Sequence, residues 1–117
     1  MSHTSAYNNF RQEFERLLEK DKIFEQEFLQ MAKRAVDAYA QEPEAREKIA
    51  YNITGLWFVI EDKMGKQYVE QYPAIAEIGG RFADLELPDA HISLEGAESI
   101  DGMWINLADE IERLIKD

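Results

Sequence analysis

The stretch that decides the fold is IAYNITGLWFVIEDKM, which runs from Ile49 to Met64. Its large apolar residues recur at steps of three and four, the period of an α-helix with one apolar face. The residues on that face are Ile49, Ile53, Leu56, Trp57, Ile60 and Met64. Tyr51, Gly55, Phe58 and Val59 make the second half apolar almost all round, which indicates a central buried helix or one shared with another subunit.

A β-hairpin is the alternative interpretation of the same region. Leu56–Ile60 is a short run that favours a strand, Asp62–Lys66 resembles a turn, and Tyr68–Tyr72 would be the paired strand. The alternative fold class is therefore α+β with a hairpin near residues 56–72. The helical spacing that continues unbroken from Ile49 to Met64 favours the helix.

Two amphipathic helices are predicted before this stretch. The first covers about residues 6–20, with Thr4 or Ser5 as its N-cap, and the second follows Asp21 and ends near Gln41. Both have apolar residues at helical spacing and charged residues between them.

The third helix is predicted to begin at Pro43, because a proline lacks the amide hydrogen that would have no acceptor at a first helical position. Gly65 is its predicted C-cap. A fourth helix, at about residues 66–87, is interrupted by Pro73 and by the pair Gly79–Gly80. We therefore expect it to be kinked or broken.

The last helix has the clearest pattern, and Asp101 or Ser99 is positioned to cap it. Its apolar stripe consists of Trp104, Leu107, Ala108, Ile111, Leu114 and Ile115. The fold class predicted for the chain is all-α, a compact bundle of about five helices with a kinked fourth helix. At 117 residues the chain is expected to form a single helical domain, residues 1–117.

The amino-acid composition excludes several classes of protein for this chain. Hydrophobic residues make up 45% and charged residues 32% of the chain, the balance of a folded protein. There is no cysteine, which excludes disulfides, thiolate metal ligands and cysteine nucleophiles. With no signal-like N-terminus and no apolar run of membrane-spanning length, we expect a cytoplasmic protein without a membrane partner.

The sequence predicts no catalytic residue, metal ligand or cofactor. His3 and His91 are the only histidines, and no Glu-x-x-His pair or phosphate-binding glycine motif occurs. A serine and histidine dyad would have to combine His91 with Ser93 or Ser99, in a segment without a nucleophile-elbow pattern.

Acidic residues are distributed unevenly. The chain has 24 acidic and 13 basic residues, a net charge of −11, and residues 67–117 hold twelve acidic and three basic residues, a net charge of −9. Residues 84–101, called the acidic segment below, contain no lysine or arginine. Its acids, Asp84, Glu86, Asp89, Glu95, Glu98 and Asp101, are the predicted partner-binding residues.

Three interpretations of the acidic segment remain open. Its carboxylates form a solvated loop, or they dock a basic protein, or Asp84, Glu86 and Asp89 bind a hard cation together with His91. The spacing lacks the twelve-residue pattern of an EF-hand.

The leading hypothesis for function is a non-enzymatic interaction protein that binds a basic protein partner, as an inhibitor, an immunity protein, an antitoxin or a regulatory adaptor does. Its acidity disfavours nucleic acid as the partner. The alternative is a small-molecule or metal-binding protein, enzymes included, with a pocket between the third and fourth helices. A homodimer that uses the apolar third helix is a further alternative.

Overall fold

The computed structural model describes residues 5–86 and 100–115, and in these ranges the chain folds into six α-helices and one short 3₁₀ turn. The α-helices are α1 (Ala6–Leu18), α2 (Glu25–Gln41), α3 (Arg46–Met64), α4 (Lys66–Gln71), α5 (Ala74–Glu86) and α6 (Ile100–Leu114), and the 3₁₀ turn is Pro43–Ala45. The described ranges contain no strand, so the all-α prediction is confirmed and the hairpin alternative is wrong.

The helix α3 lies at the centre of the bundle. It packs most extensively on α5 and also contacts α1, α2 and α4, while α6 packs on α2 and α5. Ile49, Ile53, Leu56 and Ile60 of α3 are completely buried, as the helical spacing predicts. The aliphatic face of the deciding stretch therefore forms the middle of one continuous apolar core.

Two side chains cap the N-terminus of α1. The Ser5 hydroxyl accepts a hydrogen bond from the backbone N–H of Asn8 (3.1 Å), which confirms Ser5 as the N-cap. The Glu42 carboxylate, from the end of α2, accepts one from the backbone N–H of Tyr7 (3.2 Å). Helix N–H groups in the first turn have no intrahelical acceptor, so a distant carboxylate both satisfies one and ties α1 to the end of α2.

The C-terminal end of α1 is held by a lysine from α3. The Lys63 ammonium donates hydrogen bonds to the backbone carbonyls of Leu18 (2.7 Å) and Lys20 (2.6 Å). These carbonyls belong to the last turn of α1 and the residues after it, where a positive charge also complements the helix dipole. The contact joins α3 to the connection between α1 and α2.

The N-terminus of α2 is capped by a tyrosine from α4. The Tyr68 hydroxyl accepts a hydrogen bond from the backbone N–H of Glu25 (2.9 Å), and the Phe24 ring packs edge-on against the Tyr68 ring with centroids 6.3 Å apart. Burial raises the pKa of Tyr68, so the phenol remains neutral in this contact.

The predicted fourth helix is broken at Pro73, as expected. Tyr72 leaves the helical conformation with φ −121° and ψ 74°, since a following proline disfavours the helical region at the residue before it. Gly65, predicted as the C-cap of α3, has a φ of 92°, which an L side chain rarely adopts, and it separates α3 from α4. The third helix differs in one detail: Pro43 begins the 3₁₀ turn, and α3 itself begins at Arg46.

The predicted interruption at Gly79–Gly80 is wrong, because α5 continues through both glycines. Gly79 is buried, and a Cβ atom placed on it would lie 2.8 Å from Cδ2 and Cε3 of Trp57. A Cβ placed on Gly80 would meet nothing within 4 Å. Gly79 is therefore required by the close approach of α3 and α5.

No helix in the described ranges combines the length and the apolar character needed to cross a lipid bilayer.

The two adjacent glycines of α5 should respond to alanine in opposite directions. Gly79→Ala forces the Trp57 ring to move and should lower the free energy of unfolding by about 1–3 kcal/mol. Gly80→Ala adds a methyl group in open space and should raise it by about 0.5–1 kcal/mol, because glycine is a poor helix former. Urea unfolding of both variants measures the two changes, and equal effects would contradict the proposed close packing.

Removing the Lys63 ammonium should destabilise the protein. Lys63→Met keeps most of the aliphatic side chain but loses both hydrogen bonds to carbonyls, and we expect a loss of about 1 kcal/mol in the free energy of unfolding. Lys22→Met is the matched control, since Lys22 is exposed and makes no hydrogen bond or ion pair within the described ranges. A loss of the same size in the control would show that general charge effects are responsible.

Candidate functional site

The structure places only part of the acidic segment. Asp84 is exposed on α5, Glu86 is the last residue of α5, and Asp101 lies in the first turn of α6, so the cap predicted at Asp101 is instead a position within the helix. The remaining predicted partner-binding residues, Asp89, Glu95 and Glu98, lie outside the described residues, as do His91 and Ser99.

Half of the proposed cation site, Asp89 and His91, falls on the same undescribed part of the chain. Within the described ranges, no group of three or more histidine, aspartate or glutamate side chains is arranged to hold a metal ion.

A mainly apolar recess lies between α2 and α6, and we call it the α2–α6 groove. It has a volume of about 550 Å³. Its lining residues are Val36, Tyr39, Ala40, Pro43, Trp104, Ile105, Ala108 and Asp109. Apolar side chains predominate, as in sites that bind apolar groups of a ligand or partner.

Stacked aromatic rings support the groove. The Tyr39 and Trp104 rings are nearly parallel, with an angle of 5° between their planes and centroids 4.2 Å apart. Phe82 of α5 packs edge-on against Trp104 from within the core, with centroids 5.5 Å apart. Trp104 is buried and held by rings from two helices, so the groove has a preformed wall.

One large aliphatic residue of the groove is not covered by the protein. The Ile105 side chain is 62% exposed, although it belongs to a helix whose other large apolar residues are mostly turned inward. Burying such a side chain against another protein contributes about 1.5–3 kcal/mol. Ile105 is therefore the natural anchor point of the groove.

The surroundings of the groove are acidic. Asp109 is exposed and is the only charged residue among the eight lining residues, all of which belong to the described ranges. Lys33 of α2 forms an ion pair with Glu112 of α6 (2.9 Å). The hydrogen bond with Glu112 and the nearby charge of Asp37 raise the pKa of Lys33.

Two acids, Glu112 and Asp37, therefore interact with Lys33. The Asp109 side chain forms no hydrogen bond or ion pair with another described residue, so its carboxylate can pair with a cation from outside. An apolar recess with an uncompensated carboxylate beside it suits a partner that offers both an apolar and a basic side chain.

A second recess, between α1 and α2, has the opposite character. It has a volume of about 340 Å³, and charged side chains of both signs line it. Arg16 donates a hydrogen bond to Glu13 (2.7 Å), which lowers the pKa of that carboxyl group. Partial burial raises the pKa of Glu27, but hydrogen bonds from Lys20 and from the Phe24 backbone outweigh it and the pKa is lowered. These charges neutralise one another, so this recess offers no net attraction to a charged ligand.

The small-molecule pocket expected between the third and fourth helices stays a prediction. The backbone irregularity beside Trp57 is the Gly79 position, and the Trp57 ring packs directly against it. The feature that suggested a small-molecule pocket is thus accounted for by helix packing.

Sequence reasoning missed the α2–α6 groove. Trp104 and Ala108 were predicted in the apolar stripe of the last helix, but nothing in the sequence brings α2 and α6 together. The available signal was Ile105, an apolar residue outside the stripe that α6 turns toward the core.

Comparisons with protein-family models, with curated proteins and with solved structures give no match for this chain. Its class is that of an all-α protein, and its function is argued from its own surface.

Proposed function

We propose that this chain is a non-enzymatic interaction protein that binds a basic protein partner, and that the α2–α6 groove receives an apolar side chain of that partner. The observation that carries the proposal is exposed Ile105 beside a preformed aromatic wall. Next to it lies the Asp109 carboxylate, which has no ion-pair partner among the described residues. Inhibitors, immunity proteins, antitoxins and regulatory adaptors act in this way, without chemistry of their own.

The apolar part and the acidic part of the site have different roles. Burial of Ile105 and of the partner's apolar side chain supplies affinity, because apolar area removed from water is the main favourable term in association. The acidic surroundings accelerate encounter with a basic surface and select against acidic partners and nucleic acid. Charge acts over about 8 Å at physiological salt, so carboxylates close to the groove matter most.

The acidic segment extends this surface in the proposal. It connects α5 to α6, and α6 carries both Ile105 and Asp109. Its six acids, Asp84, Glu86, Asp89, Glu95, Glu98 and Asp101, add to the field that steers a basic partner toward the same helix. The absence of cysteine agrees with action in the reducing cytoplasm, which we include in the proposal.

A pair of synthetic peptides tests the groove. Both have leucines at helical spacing. The other positions are lysine in the first peptide and glutamate in the second. The lysine peptide should bind and the glutamate peptide should not. Ile105→Glu should weaken binding of the lysine peptide at least tenfold, because it places a charge where an apolar contact forms.

Phe58→Glu is the matched control for Ile105→Glu. Phe58 is also a large exposed apolar residue, at 54%, and the exchange changes the net charge equally on a different helix. Surface plasmon resonance measures all affinities. Added negative charge alone would strengthen binding of a lysine peptide, so equal weakening by the two exchanges would mean that the peptide does not use the groove specifically.

Charge reversal near the groove should slow association more than it speeds dissociation. Asp109→Lys should lower the association rate of the lysine peptide several-fold and flatten its salt dependence, whereas Glu70→Lys on α4 should have a smaller effect. A variant with lysine in place of Glu95, Glu98 and Asp101 measures the share of the acidic segment. An unchanged association rate in that variant would remove the segment from the proposed surface.

A further inference from the structure

The helix α3 has one face that the other described elements leave uncovered. Tyr51 is 68% and Phe58 is 54% exposed, and Gly55 lies between them on the same face. The shallow recess around Gly55 has a volume of about 310 Å³. It is lined by Phe14, Tyr51, Asn52, Thr54, Gly55 and Phe58. Two exposed aromatic rings that flank a recess are a typical beginning of a protein interface.

No contact within the described residues requires a glycine at position 55. A Cβ atom placed on Gly55 would meet no heavy atom within 4 Å, in contrast to Gly79, where Trp57 leaves no room. A glycine in the middle of a helix destabilises it relative to alanine. Because glycine has no side chain, it would allow a helix of another molecule to approach α3 closely at this position.

Opposite charges end the same face. Lys48 lies two helical turns before Gly55 and Asp62 lies two turns after it, so all three share one face of α3. Both charged residues are exposed, and neither forms an ion pair within the part of the chain that the structure describes. From its N-terminal to its C-terminal end, the face therefore carries a basic residue, an aromatic residue, the glycine, a second aromatic residue and an acidic residue.

Such a face is complementary to itself in the antiparallel orientation. A two-fold axis at Gly55 places each residue opposite the one equally distant on the other side of the glycine, so Lys48 of each copy faces Asp62 of the other. Phe58 then lies opposite Asn52, beside the recess. A parallel pairing would oppose lysine to lysine and aspartate to aspartate, which is unfavourable.

We propose that two copies of this chain associate through α3, antiparallel about a two-fold axis at Gly55. The contact covers about 20 Å of one helix from Lys48 to Asp62, which is at the small end of specific interfaces. The expected dissociation constant of the dimer is accordingly micromolar. This assembly does not depend on the proposed binding of a basic partner, since its residues are different.

Sedimentation velocity across the micromolar concentration range tests the assembly. The unmodified protein should change from monomer to dimer, and Gly55→Leu should raise the dissociation constant at least tenfold by filling the close approach. Gly80→Leu is the matched control, because Gly80 is also a helical glycine with open space around it. A chain that stays monomeric throughout, or a dimer unaffected by Gly55→Leu, would overturn the proposal.

A charge exchange tests the antiparallel orientation. Lys48→Asp alone and Asp62→Lys alone each create two like-charge contacts, and each should raise the dissociation constant roughly tenfold. The double variant K48D/D62K restores two opposite-charge contacts and should return the constant to within about threefold of the original. Circular dichroism melts check that every variant is folded. A double variant as weak as the single ones would overturn the antiparallel pairing.

Discussion

The packing of the Trp57 ring against Gly79 is the contact on which the arrangement of the bundle depends. It lets α3 and α5 approach more closely than a side chain at position 79 would allow. The position of α5 is therefore set by its packing on the central helix α3. One turn further along α5, Phe82 meets Trp104 of α6, and Trp104 stacks on Tyr39 of α2. The packing of Trp57 on Gly79 positions α5, and Phe82 of α5 then supports the aromatic wall of the α2–α6 groove.

Periodicity and proline chemistry predicted most of the helices, because both act through a few neighbouring residues. The run from Ile49 to Met64 and the break at Pro73 are local properties, and the structure contains both. Gly79–Gly80 was misjudged for the opposite reason. Whether a glycine breaks a helix or allows a close contact depends on what lies across from it, and Trp57 is far from it in the sequence.

The candidate sites were harder to predict than the fold for the same physical reason. A groove exists only between elements, and Tyr39 and Trp104 are brought together by tertiary packing alone. The acidic segment was visible in the sequence because charge is a property of composition, but composition does not place a charge beside an apolar recess. Asp109 was a candidate only once the structure placed it beside Ile105 and Tyr39 in the groove, while Lys33 interacts with other acids.

The two proposed surfaces have no residue in common, since the groove uses α2, the residue Pro43 and α6, and the self-association face uses α1 and α3. A dimer formed through α3 would therefore keep both grooves open. A partner with two basic segments would bind the second groove at the high effective concentration set by the first contact, provided that it spans the distance between them. Weak binding at each groove would then become strong only where the protein is concentrated enough to dimerise, so the exposed face of α3 would make partner binding depend on the amount of the protein itself.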